Sequence, residues 1–366
     1  VKNVLHLIDT FGTGGAESVY LQLLGRLDRR RYRSFAAVLG SGWLRDSVID
    51  LGYEPLDTRT EGSLDLSYLK QLRDLVRTHR IDIIQTHLLT TAVYGSVAGR
   101  LAGVPVVSTF HGINDVKGRF LTLKSAAIGY GASRIVFVSE FLRRAIVARE
   151  RFLGAKSTVI YNGVDVRRFS PRRDFTLRRQ LGIADDETLV GAVGRIIHAK
   201  GFDVLIRAAD ILRHHPAKFR FLIIGEKLEE DATDEDLIAL RSSLGLDREV
   251  HILPFRTDIE RVFDCIDLFV LSSRTEGFSL TTIEAMASGL PVVATASGGP
   301  QEIVTPDSDA LLVPTDDPAS LARAIAVIAE NASLRERLRA QARETAVRRF
   351  SLDATISAYE ALYDSL

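Results

Sequence analysis

Cysteine is all but absent from this chain: Cys265 stands alone among 366 residues. One thiol excludes an intrachain disulfide framework, and its apolar neighbours suit a reducing compartment, so a cytoplasmic protein is expected. Long apolar runs are missing as well. No stretch approaches the ~18 consecutive apolar residues of a membrane span. The opening residues show no basic-then-apolar leader, and 4–8 reads as a core strand. Lysine plus arginine equals aspartate plus glutamate at 47 each. No recognition motif accompanies the basic residues, so nucleic acid is not an expected partner. A G-x-S-x-G turn is lacking, and Cys265 has no evident activating partner. Metal-ligand signatures are equally thin. Asp234-Glu235-Asp236 and Asp307-Ser308-Asp309 have D-x-D spacing but lie in acid- or turn-rich surface segments, and the adjacent His214 and His215 diverge by about 100° on a helix. Neither a metal nor a cofactor is expected.

What is present, 46% hydrophobic and 26% charged residues, is an ordinary soluble balance, and the length favours two domains. Their charges differ. Residues 1–170 hold 24 basic and 15 acidic side chains, and the remainder 23 and 32. Much of the positive excess lies within 117–156, at Lys117, Arg119, Lys124, Arg134, Arg143, Arg144, Arg149, Arg151 and Lys156, with Phe120, Leu121 and Leu123 interleaved. Such a stretch attracts an anionic membrane surface or a phosphorylated acceptor, and it also fits a solvated helix face.

Short β-type runs alternate with helical spacing along the whole chain. Strands are expected at 4–8, 35–39, 81–85, 104–110 and 135–138, and again at 189–193, 219–224, 250–253, 268–271 and 292–295. Helical spacing covers 16–27 and 69–79. Two such series imply two parallel sheets with helices on both faces. The boundary falls within 162–174, giving domains 1–168 and 169–350 and a final helix, 351–366, placed to pack back on the first domain. Ligands of doubly wound sheets sit beyond the strand C-termini, so the residues that follow strands carry the interest.

Gly12, Gly14 and Gly15 follow the first strand and open a helix, a place where backbone approaches a ligand closely and phosphate is favoured. Glu17 stands where a dinucleotide fingerprint needs glycine, and the second strand ends without an acid, which disfavours a dehydrogenase. His111 follows a strand and can donate to a sugar hydroxyl or phosphate, or be structural; His87 and His251, beside strands, read as packed. Arg195 and Lys200 follow a strand end with glycines beside them and can neutralise a leaving diphosphate, or form an ordinary surface pair. Glu276 and Glu284 bracket a loop and a helix start, so that a diphosphate on the amides, a sugar at one acid and a ribose at the other fit the spacing. An ordinary αβ unit with two surface acids fits it too. Ser297-Gly298-Gly299 is a further turn that either supplies an amide to a ligand or is a plain αβ turn.

In their order, these motifs resemble family 4 glycosyltransferases, retaining enzymes of the two-Rossmann GT-B architecture. The resemblance runs through Gly12–Glu17, Thr109–Gly112, Tyr161–Asp165, Gly194–Gly201, the Glu-x7-Glu spacing of Glu276 and Glu284, and 285–294. It implies two Rossmann-like domains facing a central cleft. It also implies roles: Gly14 and Gly15 at the donor phosphate, His111 at the donor sugar, Arg195 and Lys200 on the diphosphate, and Glu276 on sugar hydroxyls with the backbone of Phe278 and Ser279. Leu280 and Thr281 amides would face phosphate, Glu284 the ribose, and the Leu253 backbone the nucleobase. Pro254 and Gly225-Glu226-Lys227 depart from the glycines usual in the family, which leaves the base open.

The implied reaction moves a sugar from a nucleoside diphosphate sugar, with UDP or GDP as the base carrier, to a lipid-linked, phosphorylated or glycan acceptor in cell-surface glycan or glycolipid synthesis. It needs no metal, and the enzyme is expected to rest peripherally on the inner face of the membrane. A sugar-nucleotide 2-epimerase of related fold and a non-catalytic sugar-nucleotide-binding subunit are the competing readings.

Overall fold

A computed structural model describes residues 1–366 except 11, 61–64, 114, 115, 117, 119 and 227–235. It divides into two compact units, one of residues 1–162 with 354–366, the other of residues 163–353.

The first unit contains seven parallel strands: β1 (Lys2–Ile8), β2 (Tyr32–Leu39), β3 (Pro55–Thr58), β4 (Ile83–His87), β5 (Val106–Phe110), β6 (Arg134–Phe137) and β7 (Ser157–Val159). Their order is β3-β2-β1-β4-β5-β6-β7. Successive side chains leave opposite faces of a strand. Leu5 and Leu7 of β1 accordingly pack with Ala37, Leu72, Val76, Ile84 and Val106 on one side, while Ile8 joins Tyr20, Leu24, Val38 and Val48 on the other. The last residues of the chain complete this unit. Within it, Tyr363 donates to Gln85 at 2.9 Å, Tyr359 and Thr109 share a bond of 3.2 Å, and the Asp28 amide donates to Glu360 at 2.8 Å.

The second unit contains six parallel strands: β8 (Thr188–Val193), β9 (Phe219–Ile224), β10 (Val250–Leu253), β11 (Leu268–Leu271), β12 (Val292–Thr295) and β13 (Leu311–Val313), in the order β10-β9-β8-β11-β12-β13. Val190, Ala192, Leu205, Phe221, Ile223, Val270, Val293 and Ile325 form its core. Residues 163–168 belong here rather than to the first unit: the Leu352 amide donates to the Val164 carbonyl at 2.9 Å, and Arg168 pairs with Glu260.

Among the described residues, seven and six strands replace the two sets of five expected. β3, β7 and β13 have only three or four residues each, and most of their side chains are not fully buried, so β3 and β7 carry no apolar run and that of β13 is too short to read as a strand. Both strand orders reverse once, between β1 and β4 and between β8 and β11. Those switch points open a crevice beyond the carboxyl ends of the strands.

Candidate functional site

In the second unit the chain leaves β8 through Gly194 and Arg195 and turns through a short 3-10 helix, His198–Lys200. Gly201 ends the turn at φ 61, and a Cβ there would collide with the Ser272 carbonyl, so glycine is required on both counts. β11, the neighbour across the switch point, leads through Ser272 and Ser273 to Glu276. The Lys200 Nζ meets Glu276 Oε1 at 2.6 Å, and the Ser273 hydroxyl donates to the same oxygen at 2.8 Å. The two residues, 76 apart in sequence, thus form a half-buried ion pair at the switch point. Glu276 Oε2 makes no hydrogen bond among the described residues and remains available as an acceptor.

The backbone of Glu276 is fixed as well. Its amide donates to the Ser297 carbonyl at 2.9 Å, and its carbonyl accepts from Gly299 at 3.0 Å. A Cβ on Gly299 would strike the Gly277 carbonyl, so this glycine serves close packing of two loops. Gly298 donates to the Gln301 side chain at 3.2 Å. Both amides of that glycine turn are therefore engaged inside the protein, which favours the plain-turn reading.

Phe278 is buried and plugs the loop into the core, 5.7 Å edge-on to Phe350. Ser279 then caps the helix Leu280–Ala287, its hydroxyl accepting from the Thr282 amide at 3.3 Å. The Leu280 and Thr281 amides precede the first intrahelical bonds and are the donors that an anion takes up at a helix start. Glu284, four residues in, has a half-buried side chain with no hydrogen bond among the described residues. Burial pushes its carboxyl up to about 7, with Arg168 pulling in the other direction. Arg195 is exposed. The Leu253 carbonyl accepts from the Gly225 amide at 3.1 Å, leaving one lone pair on that oxygen; Pro254 is exposed, and Lys227 lies outside the described residues.

In the first unit, Gly14 and Gly15 stand at the start of the helix Gly15–Arg26. Glu17 folds back over them: its Oε1 accepts from Thr10 at 2.6 Å, and its other oxygen lies where a Gly14 side chain would go. The helix start thus already faces one carboxylate. Across the switch point, the Thr90 amide donates to Asp9 at 3.1 Å. His111 follows β5, and its Nε2 lies 2.9 Å from Nδ1 of His87 at the end of β4. The rings are 17° from coplanar with centroids 5.1 Å apart, the geometry of an in-plane bond rather than of stacking. Burial holds His111 near 3 and His87 well below its ordinary value, so both are neutral at pH 7. His87, read from sequence as merely packed, is therefore a direct partner of a candidate site residue. Its signal is the strand register, since β4 and β5 are neighbours and His87 pairs with Thr109. Leu88, next in the chain, is held at φ 71, a strained setting for a residue with a side chain.

Of the D-x-D motifs, Asp234 and Glu235 lie outside the described residues. Asp309 has both oxygens occupied, accepting from the Thr305 amide at 2.7 Å and from the Thr345 hydroxyl at 2.8 Å, so it organises its loop. Among the described residues no three His, Cys, Asp or Glu side chains assemble into a metal-ligand group. In the basic stretch, Lys117 and Arg119 are outside the described residues, Arg143 and Arg144 pair with Glu140, and Lys156 caps the carbonyls of Tyr130 and Ala132. Phe120, Leu123, Tyr130 and Phe152 are exposed there. No helix among the described residues is long and apolar enough to cross a membrane.

Residues 13–168 match the family profile described as Glycosyltransferase Family 4, and residues 174–345 that described as Glycosyl transferases group 1. A D-inositol 3-phosphate glycosyltransferase of Salinispora arenicola is 32% identical over 309 residues, which cover 77% of this chain and 68% of that protein. One from Mycobacterium marinum is 30% identical over 77% of this chain and 63% of its own length. The two profiles together span most of the chain and fall on its two sheet-bearing units, and the chain belongs to glycosyltransferase family 4. Among solved structures, Anabaena HepE, determined in complex with UDP-glucose, superposes with a TM-score of 0.87 at 25% identity over the whole of both chains. The sucrose-phosphate synthase of Thermosynechococcus elongatus shares the fold, with a TM-score of 0.82 at 20% identity, over all of this chain and 99% of that one.

Proposed function

We propose that the chain transfers a sugar from a nucleoside diphosphate sugar, UDP- or GDP-linked, to an acceptor hydroxyl with retention of anomeric configuration. The observation that carries this reading is the Lys200–Glu276 pair at the switch point, set beside free helix amides and the unpartnered carboxyl of Glu284. Lys200, Arg195 and the amides of Leu280 and Thr281 bind the diphosphate. Glu276 Oε2 accepts from sugar hydroxyls beside the backbone of Phe278 and Ser279, Glu284 from the ribose, and the Leu253 backbone meets the base. Within the first unit, Gly14 and Gly15 offer backbone to a phosphate, and His111 offers its ring to a sugar hydroxyl. In the step itself, the bond from the anomeric carbon to the phosphate oxygen breaks and the acceptor oxygen bonds on the same face. The acceptor proton passes to the departing phosphate, whose charge Lys200, Arg195 and the amides stabilise. No metal is assigned a part.

The complex of Anabaena HepE with UDP-glucose supports a uridine donor. The D-inositol 3-phosphate in the name of the relatives, with the positive excess of residues 1–170, supports a phosphorylated acceptor, lipid-linked or soluble, in glycan or glycolipid synthesis at the cytoplasmic face of a membrane. A thermal-shift screen of UDP-, GDP- and ADP-sugars tests the donor. A ligand at ~100 times its Kd adds about 2.7 kcal/mol to stability, so one series must raise Tm clearly; a flat response to all three contradicts the reading.

A further inference from the structure

Lys200 owes its place to a residue outside the motifs. Arg274 follows β11 and reaches back to the turn that carries the lysine. Its amide donates to the Ala199 carbonyl at 2.8 Å and its Nη1 to the His198 carbonyl at 2.8 Å. Ser272, two residues earlier, donates to the Lys200 carbonyl at 3.0 Å. Three consecutive carbonyls, 198 to 200, are thus gripped from one neighbouring segment. The guanidinium is itself held on two sides: Asp203 accepts from Nη1 and Nη2 at 2.8 and 2.7 Å, and Asp316, at φ 56, accepts from Nε at 2.6 Å. Asp203 lies in the first turn of the helix Phe202–Leu212, which starts directly after the lysine turn.

Counting donors decides what Arg274 does. A guanidinium has five N–H groups, and four of them already point at Asp203, Asp316 and the His198 carbonyl. Little is left for a phosphate, despite the charge. A planar fork facing a carboxylate in two places is a rigid joint, and this one ties β11, the lysine turn and the following helix together. We propose that Arg274 is a positioning residue: it fixes the turn that presents Lys200 to Glu276 and to the donor diphosphate, and does not itself touch the donor. The proposal rests on the reading of Lys200 as a diphosphate-binding residue.

Two measurements on the full chain test it. Hydrogen–deuterium exchange is followed in wild type and Arg274→Ala, with Asp203→Asn as the second variant should the first fold poorly. The proposal requires exchange at least about tenfold faster within residues 196–204, where the Lys200 and Gly201 amides bond inside the turn, while β8 and β11 keep their protection. Unchanged exchange there overturns it. UDP affinity is then measured by calorimetry for Arg274→Ala, Lys200→Ala and the double variant. Arg274→Ala is expected to lose about tenfold when Lys200 is present and nothing further when it is absent. An equal loss in both backgrounds overturns the proposal, because Arg274 would then act on the ligand directly. Wild-type protein that binds neither UDP nor GDP contradicts the donor-site reading, whereas the exchange result still judges the clamp.

Discussion

At Glu284 the chemistry comes down to one proton. Its carboxyl titrates near 7 because burial disfavours the charge. Ribose hydroxyls donate to the ionised form, so donor binding lowers that value and releases a proton. Affinity for UDP is therefore expected to rise as pH increases through 7 and to fall by up to tenfold per unit below it. Calorimetry from pH 5.5 to 8.5 checks this, and Glu284→Gln should flatten the profile. A profile that is unchanged in Glu284→Gln removes the residue from the site. Lys200→Ala is expected to lower turnover by about 10²–10³-fold, the cost of one preorganised donor at a departing anion; near-normal transfer at saturating donor contradicts its role. Much of this site is legible in the amino-acid sequence. Glu276, Glu284, Arg195 and Lys200 each lie downstream of a strand, which makes them candidates, and the family resemblance supplies their roles. What spacing does not supply is pairing. Lys200 and Glu276 lie 76 residues apart, and only the β8–β11 register brings their loops together. His87 escapes a sequence reading because a histidine at a strand end has no local mark distinguishing a packed ring from one bonded to its neighbour. Arg274 gives no signal at all, since its partners Asp203 and Asp316 lie 71 and 42 positions away.

At the scale of elements, the helix Leu280–Ala287 matters most, because its first amides are the proposed phosphate donors. Its start depends on Ser279, which holds the Thr282 amide and hydroxyl, the latter at 2.8 Å. Ser279→Ala is expected to cost about 1 kcal/mol, seen as a Tm lower by about 2–4 °C for a unit of this size, together with weaker UDP binding. A lowered Tm with UDP affinity untouched would separate the cap from the phosphate site. Strands can be read from sequence where an apolar run fills the whole element, and β11 matches its expected bounds, 268–271, residue for residue. That signal is missing at β3 and β7, and at β13 the apolar run is only three residues long. Each is short and incompletely buried, so neither length nor alternation rises above the surrounding loop.

For the molecule as a whole, the two-unit division follows from composition as much as from alternation. The structural units meet at 162/163 and 353/354, whereas the sequence pattern places the boundaries after 168 and 350. The difference arises because residues 163–168 bond to the segment 350–352 within the second unit, a pairing that no local pattern announces. Stability of that unit leans on Arg178, 1% exposed, which donates to Asp267 at 2.7 Å and to the Glu187 carbonyl at 2.6 Å. Arg178→Ala removes the buried donor to the Cys265, Ala184 and Glu187 carbonyls, while Asp267 keeps Arg173 and the Leu189 amide, and about 1–3 kcal/mol of stability is expected to go, measured by urea unfolding. A loss below ~1 kcal/mol contradicts that account. The charge asymmetry between the halves bears on partners. Part of the basic stretch is engaged in capping and ion pairs, so attraction to anionic vesicles should depend on Lys124, Arg149 and Arg151 beside the exposed Phe120, Leu123 and Phe152. Flotation with phosphatidylglycerol vesicles at low salt should enrich the protein and about 0.5 M salt should abolish it; no enrichment at low salt removes the membrane from the account.

The most direct test is a crystal structure with UDP-glucose bound. The account predicts a diphosphate within hydrogen-bond distance of the Leu280 and Thr281 amides and of Lys200 Nζ, sugar hydroxyls on Glu276 and the ribose on Glu284. A donor bound elsewhere, with the Lys200–Glu276 pair undisturbed and Glu284 touching nothing, contradicts it.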